Sequence, residues 1–472
     1  MRFKNPFRKA DKEKEVDPLL TKKHYSSHQK DVETLKAGVL AKRAIEVAGQ
    51  IIDTFGPRPT GSESCLLAAD TLEKSFATYC DFTAHQDFNH HGRAYTAWLS
   101  FIPFVYLVDL ILLLFGLPIT ALLVYGFFIY AVIREFILYK PIPFIEKQFK
   151  SKKGRNVHGV IEPEGVVKHT IMFSSHHDSA HISSFNKEGK RAYFTKVALP
   201  FGLFAISGLV TVVQLIVEIG SGRIIGIGLP PVTSVVFLII LLLCFPFLLP
   251  LKKFMKDEAS VGAGDNLIAA TMSVELSRYF KWQAHNGKAL QHTRLIFASF
   301  DCEEEGLRGS RAWFDKNSSL IEDGIQLNFD CLYDANKFMF INSDINGTQP
   351  LSVSMASKCM SLTESMGYSV KSGPLPMFCG GTDAAEGFRA GLQACSLMAV
   401  SFSGNDPQYY HTDEDTIDKI DEKAVEKAIS LSIKLCHTVD NERFEEKEIL
   451  LDREEEEAEN PEINFSKLTK KN

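Results

Sequence analysis

Two long apolar runs set inside an otherwise polar sequence constrain this chain most. The first, Trp98 to Ile133, reads WLSFIPFVYLVDLILLLFGLPITALLVYGFFIYAVI. One crossing of a bilayer needs about 20 apolar residues. The run is nearly twice that, and Gly116-Leu117-Pro118 near its middle supplies a turn. It therefore predicts two crossings joined tightly. The second run, Val197 to Leu249, breaks around Glu218-Ile219-Gly220-Ser221-Gly222-Arg223 and predicts two more. The competing reading is a set of core helices in a large soluble protein, but globular cores do not sustain apolar runs this long and continuous. The expected arrangement is one transmembrane hairpin at 97–137 and another at 196–250.

Lysine and arginine set the expected orientation. Where the runs rejoin the polar sequence they carry Arg93, Arg134, Lys140 and Lys147, then Lys187, Lys190, Arg191, Lys196, Lys252 and Lys253; the tips carry Arg223 alone. By the positive-inside rule the polar part and both termini face the cytoplasm. Asn317, Asn346 and Asn464 stand in N-x-S/T sequons, which would matter only in a lumenal protein. So short a pattern recurs by chance, and the charge asymmetry outweighs it. The start, MRFKNPFRKADKEKE, is basic with no apolar centre, so it reads as a tail and not as a signal peptide. Residues 1–30 and the acidic stretch 446–472 are expected to be disordered.

A net charge of -6 over 472 residues gives no reason to expect nucleic acid as a partner. The nine cysteines are scattered and form no C-x-x-C, which suits a reducing compartment or buried thiols better than a disulfide framework.

Without the two runs, segments 31–96, 141–195 and 251–445 remain as one discontinuous domain. Residues 32–55 predict an amphipathic helix stopped by Pro57 and Pro59, and Ser62 can cap a second helix through Tyr79. Strands are expected at 81–88, 156–161, 169–174 and 293–300. Alternation of this kind implies an α/β fold, a mixed sheet between helical layers. If the first three strands are successive antiparallel neighbours, the first and third end on the same sheet edge. Both hairpins would leave from that edge, so a site there would open toward the bilayer, with peptides near the membrane as substrates.

Five polar stretches fall where strands end or helices begin: SSHHDSA (174–180), GAGDN (262–266), FASFDCEEEGLRGS (297–310), LNFDCL (327–332) and YYHTDEDT (409–416). Side chains alternate along a strand, so His176 and Asp178 share a face while His177 points away. Asp265 alone would read as a helix N-cap. Asp330 inside an apolar strand needs a partner, because burying a bare carboxylate is very costly. Glu303, Glu304 and Glu305 in a row repel one another unless positive charge sits among them. Two histidines and several acids gathered at strand ends suit a pair of divalent cations, and a set of oxygen and imidazole donors without thiolates suits Zn²⁺.

The ordered set, HxD, GxxD-N, EExGLxGS, D within an apolar strand and YHTxxDT, resembles the M28 family of zinc metallopeptidases. FGPRPTGSES (55–64) and FCGGTDAAEGF (378–388) resemble further family segments, although Thr382-Asp383-Ala384 stands where relatives often have Ser-Asp-His. The resemblance implies a phosphorylase/hydrolase-like α/β/α exopeptidase domain with two zinc ions. It implies that His176, Asp265 and Asp330 hold one and Asp265, Glu304 and His411 the other. Glu303 would be the general base that activates water, and Asp178 would orient His176. Glu305 falls where relatives vary and receives no role. The Tyr410 hydroxyl is a candidate support for the oxyanion, against a plain reading as a packed aromatic. The expected activity is removal of N-terminal residues from peptides. A carboxypeptidase or glutaminyl-cyclase-like activity on the same fold stays open, as does an inactive, peptidase-like membrane scaffold. M20 peptidases use a similar ligand set but place a lid domain between the last two ligands. Asp109 lies inside the first apolar run, where acids are functional candidates; a partner across the bundle, Gln214 or a tyrosine hydroxyl, is the expected structural explanation.

Overall fold

A computed structural model describes residues 36–183, 194–222, 230, 232–376, 379–401 and 409–442. Both expected tails, Asn464, Lys187, Lys190, Arg191 and Arg223 lie outside the described residues.

The chain begins with α1 (Ala37–Phe55), whose apolar stripe of Leu40, Ala44, Val47, Ala48 and Ile51 is buried, and α2 (Glu63–Tyr79). Ser62 caps α2 by accepting from the Cys65 backbone N–H at 3.1 Å. The strands that follow are β1 (Phe82–His90), β2 (Lys152–Ile161), β3 (His169–His176), β6 (Thr293–Phe300), β7 (Ile325–Leu332), β8 (Phe338–Asp344), β9 (Gln349–Pro350), β10 (Lys371–Pro374) and β11 (Gln393–Ala399). They form one mixed sheet in the order β1-β2-β6-β3-β7-β11-β8-β10, with β9 beside β8. A separate ribbon pairs β4 (His181–Ser183) with β5 (Met255–Ala259).

The expected run of three antiparallel neighbours is half right. β1 and β2 pair antiparallel, but β6 lies between β2 and β3 and runs parallel to β3. The reason is burial: β3 and β6 are buried on both faces along most of their length, as strands at the centre of a parallel sheet are. Two antiparallel steps from β1 to β6 and one parallel step to β3 leave β1 and β3 pointing the same way. The two strand ends therefore still share an edge. Phe297, Phe173 and Phe329 on β6, β3 and β7 line up with centroids 5.8 and 5.9 Å apart. They pack under α1, α2, α7 (Ile268–His285) and α11 (Glu422–Asp440), with α9 (Val353–Glu364) toward β8. The opposite face is covered by α8 (Arg308–Asn317), which buries Trp313 and Phe314, and by the short α10 (Ala384–Arg389). The sheet thus lies between two helical layers.

Four helical segments are long and apolar enough to cross a membrane: Ala94–Leu114, Pro118–Ile137, Phe194–Gly220 and Ser234–Lys253. Their regular α-helical parts are α3 (Ala94–Leu114), α4 (Pro118–Val132), α5 (Leu199–Gly220) and α6 (Val232–Leu243). Only Pro118 and Ala121 of α4 are buried, while Leu123, Phe127 and Tyr130 are exposed, a surface suited to lipid and not to water. Inside the bundle Tyr106 donates to Leu241 O at 2.7 Å and Tyr125 to Phe204 O at 2.9 Å. Asp109 accepts from Thr211 Oγ1 at 2.7 Å, so its partner is a threonine and not Gln214 or a tyrosine. Gln214 instead donates to Leu113 O at 3.0 Å, one helical turn further on. The single hydroxyl proton of Thr211 on α5 faces both the carboxylate and Ser207 O of its own helix, 3.0 Å away, and the shorter contact is to the carboxylate.

Arg308 joins the bundle to the sheet domain. Its guanidinium meets Glu146 at 2.8 Å, beyond the first apolar hairpin, and Glu135 at 3.3 Å, in the last turn of that hairpin.

Candidate metal centre

The four central strands β6, β3, β7 and β11 run parallel, and their carboxyl ends gather at one edge. In open α/β sheets that edge is where ligands bind. His176 ends β3, opposite Phe300 of β6, and the chain continues from Phe300 into Asp301-Cys302-Glu303-Glu304. Asp330 lies near the end of β7, and the chain beyond β11 returns with His411. Asp265 precedes α7 in a turn whose Asp265–Asn266 peptide is cis.

These side chains converge. His176 Nε2 lies 3.3 Å from Asp265 Oδ1 and 3.8 Å from Glu303 Oε2. His411 Nε2 lies 3.3 Å from Asp265 Oδ2 and 3.0 Å from Glu304 Oε2. His176, Asp265 and Glu304 bring one ligand atom each to within 4.8 Å of one another, as do His176, Glu303 and Asp330. Asp265 thus stands between the two imidazoles. A void of 10 Å³ lies among Asp265, Glu303, Glu304, Asp330 and His411. His177 turns away, with Nδ1 2.9 Å from Ser299 Oγ.

The donor set fits divalent cations. His176 Nε2, Asp265 Oδ2 and Glu304 Oε1 are buried without a hydrogen-bond partner among the described residues, and orphaned polar atoms of this kind are rare in a folded interior. The electrostatics point the same way. Burial pushes the carboxyls of Glu303 and Asp330 well above the usual range, and neighbouring acids push them further. Burial opposes charge on His411, but Glu304 and Asp265 raise it to about 10. Without cations such a cluster must hold extra protons, and cations remove that need.

Asp178 orders the site from one side. Its Oδ1 is 3.3 Å from His176 Nδ1. Thr60 donates to it at 2.7 Å, and the backbone N–H groups of Glu303 and Glu304 donate at 3.3 Å each. Gly309 in the GLRGS segment has to be glycine, because a Cβ there would stand 1.8 Å from the Asp301 carbonyl oxygen. Tyr410 stacks on His411 with centroids 3.8 Å apart and lines the void.

Sequence reasoning gave no role to two residues that shape the site. Arg58 is fully buried and donates to the carbonyls of His177 at 2.9 Å, Val261 at 2.8 Å and Gly262 at 2.9 Å. Asp415 accepts from the backbone N–H of Gly264 at 2.7 Å and of Asp265 at 3.2 Å, which fixes the turn carrying Asp265. Burial raises its carboxyl to about 7. The signal for Asp415 was present as the last acid of YHTDEDT; Arg58 lay inside the quoted FGPRPTGSES.

Glu305 sits apart from the cluster. Its Oε2 is 3.8 Å from His90 Nδ1, and burial holds that imidazole neutral, down to about 4.

Residues 250–436 match the model of peptidase family M28. That stretch is similar to an M28 peptidase domain. The matched stretch contains Asp265, Glu303, Glu304, Asp330 and His411, while His176 and Asp178 precede it and reach the same cluster from the end of β3. No curated protein matches the chain. Among solved structures it is similar to a Zn-dependent exopeptidase from Parabacteroides distasonis, at 11% identity and a TM-score of 0.49 over 84% of this chain and 97% of the other. BSAP, a zinc aminopeptidase from Bacillus subtilis, aligns at 13% identity and 0.49 over 84% and 95%. A glutaminyl cyclase from Bacteroides thetaiotaomicron, solved with N-acetylhistamine, aligns at 12% identity and 0.47 over 85% and 96%.

Proposed function

We propose that the chain is a membrane-bound di-zinc exopeptidase, an aminopeptidase whose M28 site faces the membrane side of its domain. The observation that carries this reading is the meeting of two imidazoles and four carboxylates, from strand ends and the turn before α7, around orphaned buried atoms. His176, Asp265 and Asp330 would hold one zinc ion, and Asp265, Glu304 and His411 the other. When bound, the pair supplies Lewis acidity, lowering the pKa of a shared water and polarising the peptide carbonyl.

The chain's own groups do the rest. Glu303 is 8% exposed and faces the void, where it takes the proton of the attacking water and returns it to the leaving amine. Asp178 holds the His176 ring through Nδ1 and ties the Glu303–Glu304 backbone to it. Tyr410 brings a hydroxyl to the wall of the site, where it can donate to a developing oxyanion. The four apolar helices anchor the domain in the bilayer, with the domain on the cytoplasmic side.

Metal analysis of the purified chain, with a panel of aminoacyl fluorogenic substrates, tests this against Glu303→Gln. Two zinc ions in both proteins, with turnover lost in the variant, is the expected result. Metal-free native protein without turnover would make the chain a scaffold.

A further inference from the structure

The stretch that follows the first apolar hairpin reads KPIPFIEKQFKSKK, residues 140–153, with five lysines and one acid. The acid, Glu146, is engaged by Arg308 at 2.8 Å. Lys152 turns inward and donates to Thr60 O at 3.1 Å. Lys140, Lys147, Lys150 and Lys153 are exposed and form no ion pair among the described residues. Aromatic rings are interleaved with these lysines. Phe144, in the single turn Pro143–Glu146, is 58% exposed and stacks on Phe127 of α4 with centroids 6.1 Å apart. Phe127 is itself exposed and lies well inside the apolar segment Pro118–Ile137. The stretch therefore folds back along the lipid-facing side of α4 and does not rise into solvent. His91, just ahead of α3, holds its far end, with Nδ1 2.8 Å from Phe149 O.

The same stretch grips the loop that carries Glu303 and Glu304. Arg308 is buried, and each of its three nitrogens has a partner: Nε donates to Glu146, Nη2 to Glu135 and Nη1 to the Glu305 carbonyl oxygen. Glu135 also accepts from the Ile142 backbone N–H, so the hairpin's exit and Arg308 share that carboxylate. The loop itself is a tight turn, in which the backbone N–H groups of Gly306 and Leu307 both donate to Glu303 O at 2.9 Å. Leu307 is fully buried beside Tyr95 and Tyr139, whose hydroxyls meet at 2.5 Å. Tyr95 lies in the first turn of α3 and Tyr139 follows the hairpin. Both ends of the first hairpin therefore clasp this loop. Releasing one partner of Arg308 would leave a buried charge short of its counterpart, so the link resists being broken.

We propose that residues 140–153 dock on an anionic bilayer surface, with Phe144 among the acyl chains beside Phe127 and Lys147, Lys150 and Lys153 on lipid phosphates, and that the Glu146–Arg308 pair passes this docking to the loop of Glu303 and Glu304. The occupant is a lipid and not an acidic protein, because the stretch continues directly from a membrane-length helix and its exposed ring packs on that helix's lipid-facing surface. Each juxtamembrane lysine near an anionic leaflet strengthens binding by about fivefold. The proposal rests on the membrane-bound reading and adds to it a lipid class and a route by which the bilayer steadies the candidate metal centre. Arg308 is then a positioning residue that acts through the loop.

The test uses the full zinc-loaded chain in nanodiscs of phosphatidylcholine, alone or with phosphatidylglycerol added, and reads amide hydrogen exchange. Discs offer both leaflets to the protein, so its orientation in a cell does not enter. In the anionic discs, exchange over residues 140–150 and over 302–308 should slow by at least about fivefold. The triple variant Lys147→Gln, Lys150→Gln, Lys153→Gln leaves Lys140 at the hairpin's end and should erase both differences. Glu146→Gln should keep the first and lose the second. Equal exchange in the two lipids overturns the proposal, as does a difference that survives the triple variant. Slowing reproduced by inorganic phosphate in neutral discs overturns it in favour of a free-anion site. A loop response that survives Glu146→Gln overturns the coupling through Arg308. If the native chain hydrolyses no peptide yet its exchange follows lipid charge, the exopeptidase reading fails and the docking stands. If it hydrolyses peptides while its exchange ignores lipid charge, the reverse holds.

Discussion

His176 and Asp178 leave the carboxyl end of β3 on the same side of the chain, and the imidazole Nδ1 lies 3.3 Å from the carboxylate Oδ1. That carboxylate also receives the backbone N–H groups of Glu303 and Glu304, so one residue sets both the ring and the loop opposite it. A carboxylate behind a ligating imidazole raises its basicity and fixes its tautomer. Asp178→Asn is therefore expected to weaken zinc affinity by about 10–100-fold, measured by competition with a chelator. Turnover should fall with it and recover in part at high zinc. Unchanged affinity would remove Asp178 from the metal's support.

Arg58 makes the second prediction. Its guanidinium satisfies carbonyls of the His177, Val261 and Gly262 backbone, which flank His176 on one side and Asp265 on the other. Burial lowers its pKa to about 10, so it remains charged at neutral pH. Arg58→Met strands three buried acceptors, at about 1–3 kcal/mol for each group left unsatisfied. Arg58→Lys keeps the charge but loses the planar fork. Both variants are expected to lower the chemical-denaturation midpoint, Met more than Lys, and to weaken zinc binding. Normal zinc affinity in a destabilised Arg58→Met would confine its role to folding.

What could be read ahead of the structure follows from the range of the interactions. Ser62 as a cap, the four apolar segments and the strand ends rest on local pattern, and each was visible in a few neighbouring residues. The placing of β6 between β2 and β3 was not, because it is fixed by burial on both faces and by the return of the chain through α7. Asp109 found Thr211, not Gln214, because helix rotation within the bundle decides which hydroxyl faces it. Arg58 could be quoted but not assigned, since apart from Gly56 O its carbonyl partners, on His177, Val261 and Gly262, are more than 100 residues away in sequence.

His158 gives a pH-dependent prediction outside the metal centre. It is 3% exposed on β2, and Trp313 Nε1–H donates to its Nδ1 at 3.2 Å. Burial, with a smaller push from Lys316, lowers its pKa from 6.5 to about 4. The folded form holds the ring neutral while the unfolded chain binds a proton below about 6.5. Its contribution to stability is therefore complete above that pH and is lost as pH falls toward 4. At 1.36 kcal/mol per unit, the loss is on the order of 3 kcal/mol. His158→Gln keeps an acceptor for Trp313 and removes the titration. Denaturation at pH 7 and pH 4.5 should show a smaller acid loss in the variant; equal losses would mean that the ring is protonated within the fold.

Orientation in the bilayer is the last prediction. Arg93, Arg134, Lys140, Lys196, Lys252 and Lys253 all lie at the ends of the apolar segments that meet the sheet domain. The described tips, Phe115-Gly116-Leu117 and Ser221-Gly222, carry no charge. Basic residues near segment ends are retained on the cytoplasmic side. Asn346 is a poor reporter, because it is buried and its side chain donates to Phe136 O at 3.3 Å. Asn317 is the better one: its side chain also donates to a carbonyl, Trp313 O at 3.0 Å, but it ends α8 and is partly exposed within its sequon. In a glycosylating host Asn317 should remain unmodified, while a sequon carried on a long polar loop inserted between Ser221 and Gly222 should acquire a glycan. A glycan on Asn317 with the inserted sequon bare would turn the molecule over, placing the sheet domain and its ligand cluster on the lumenal face.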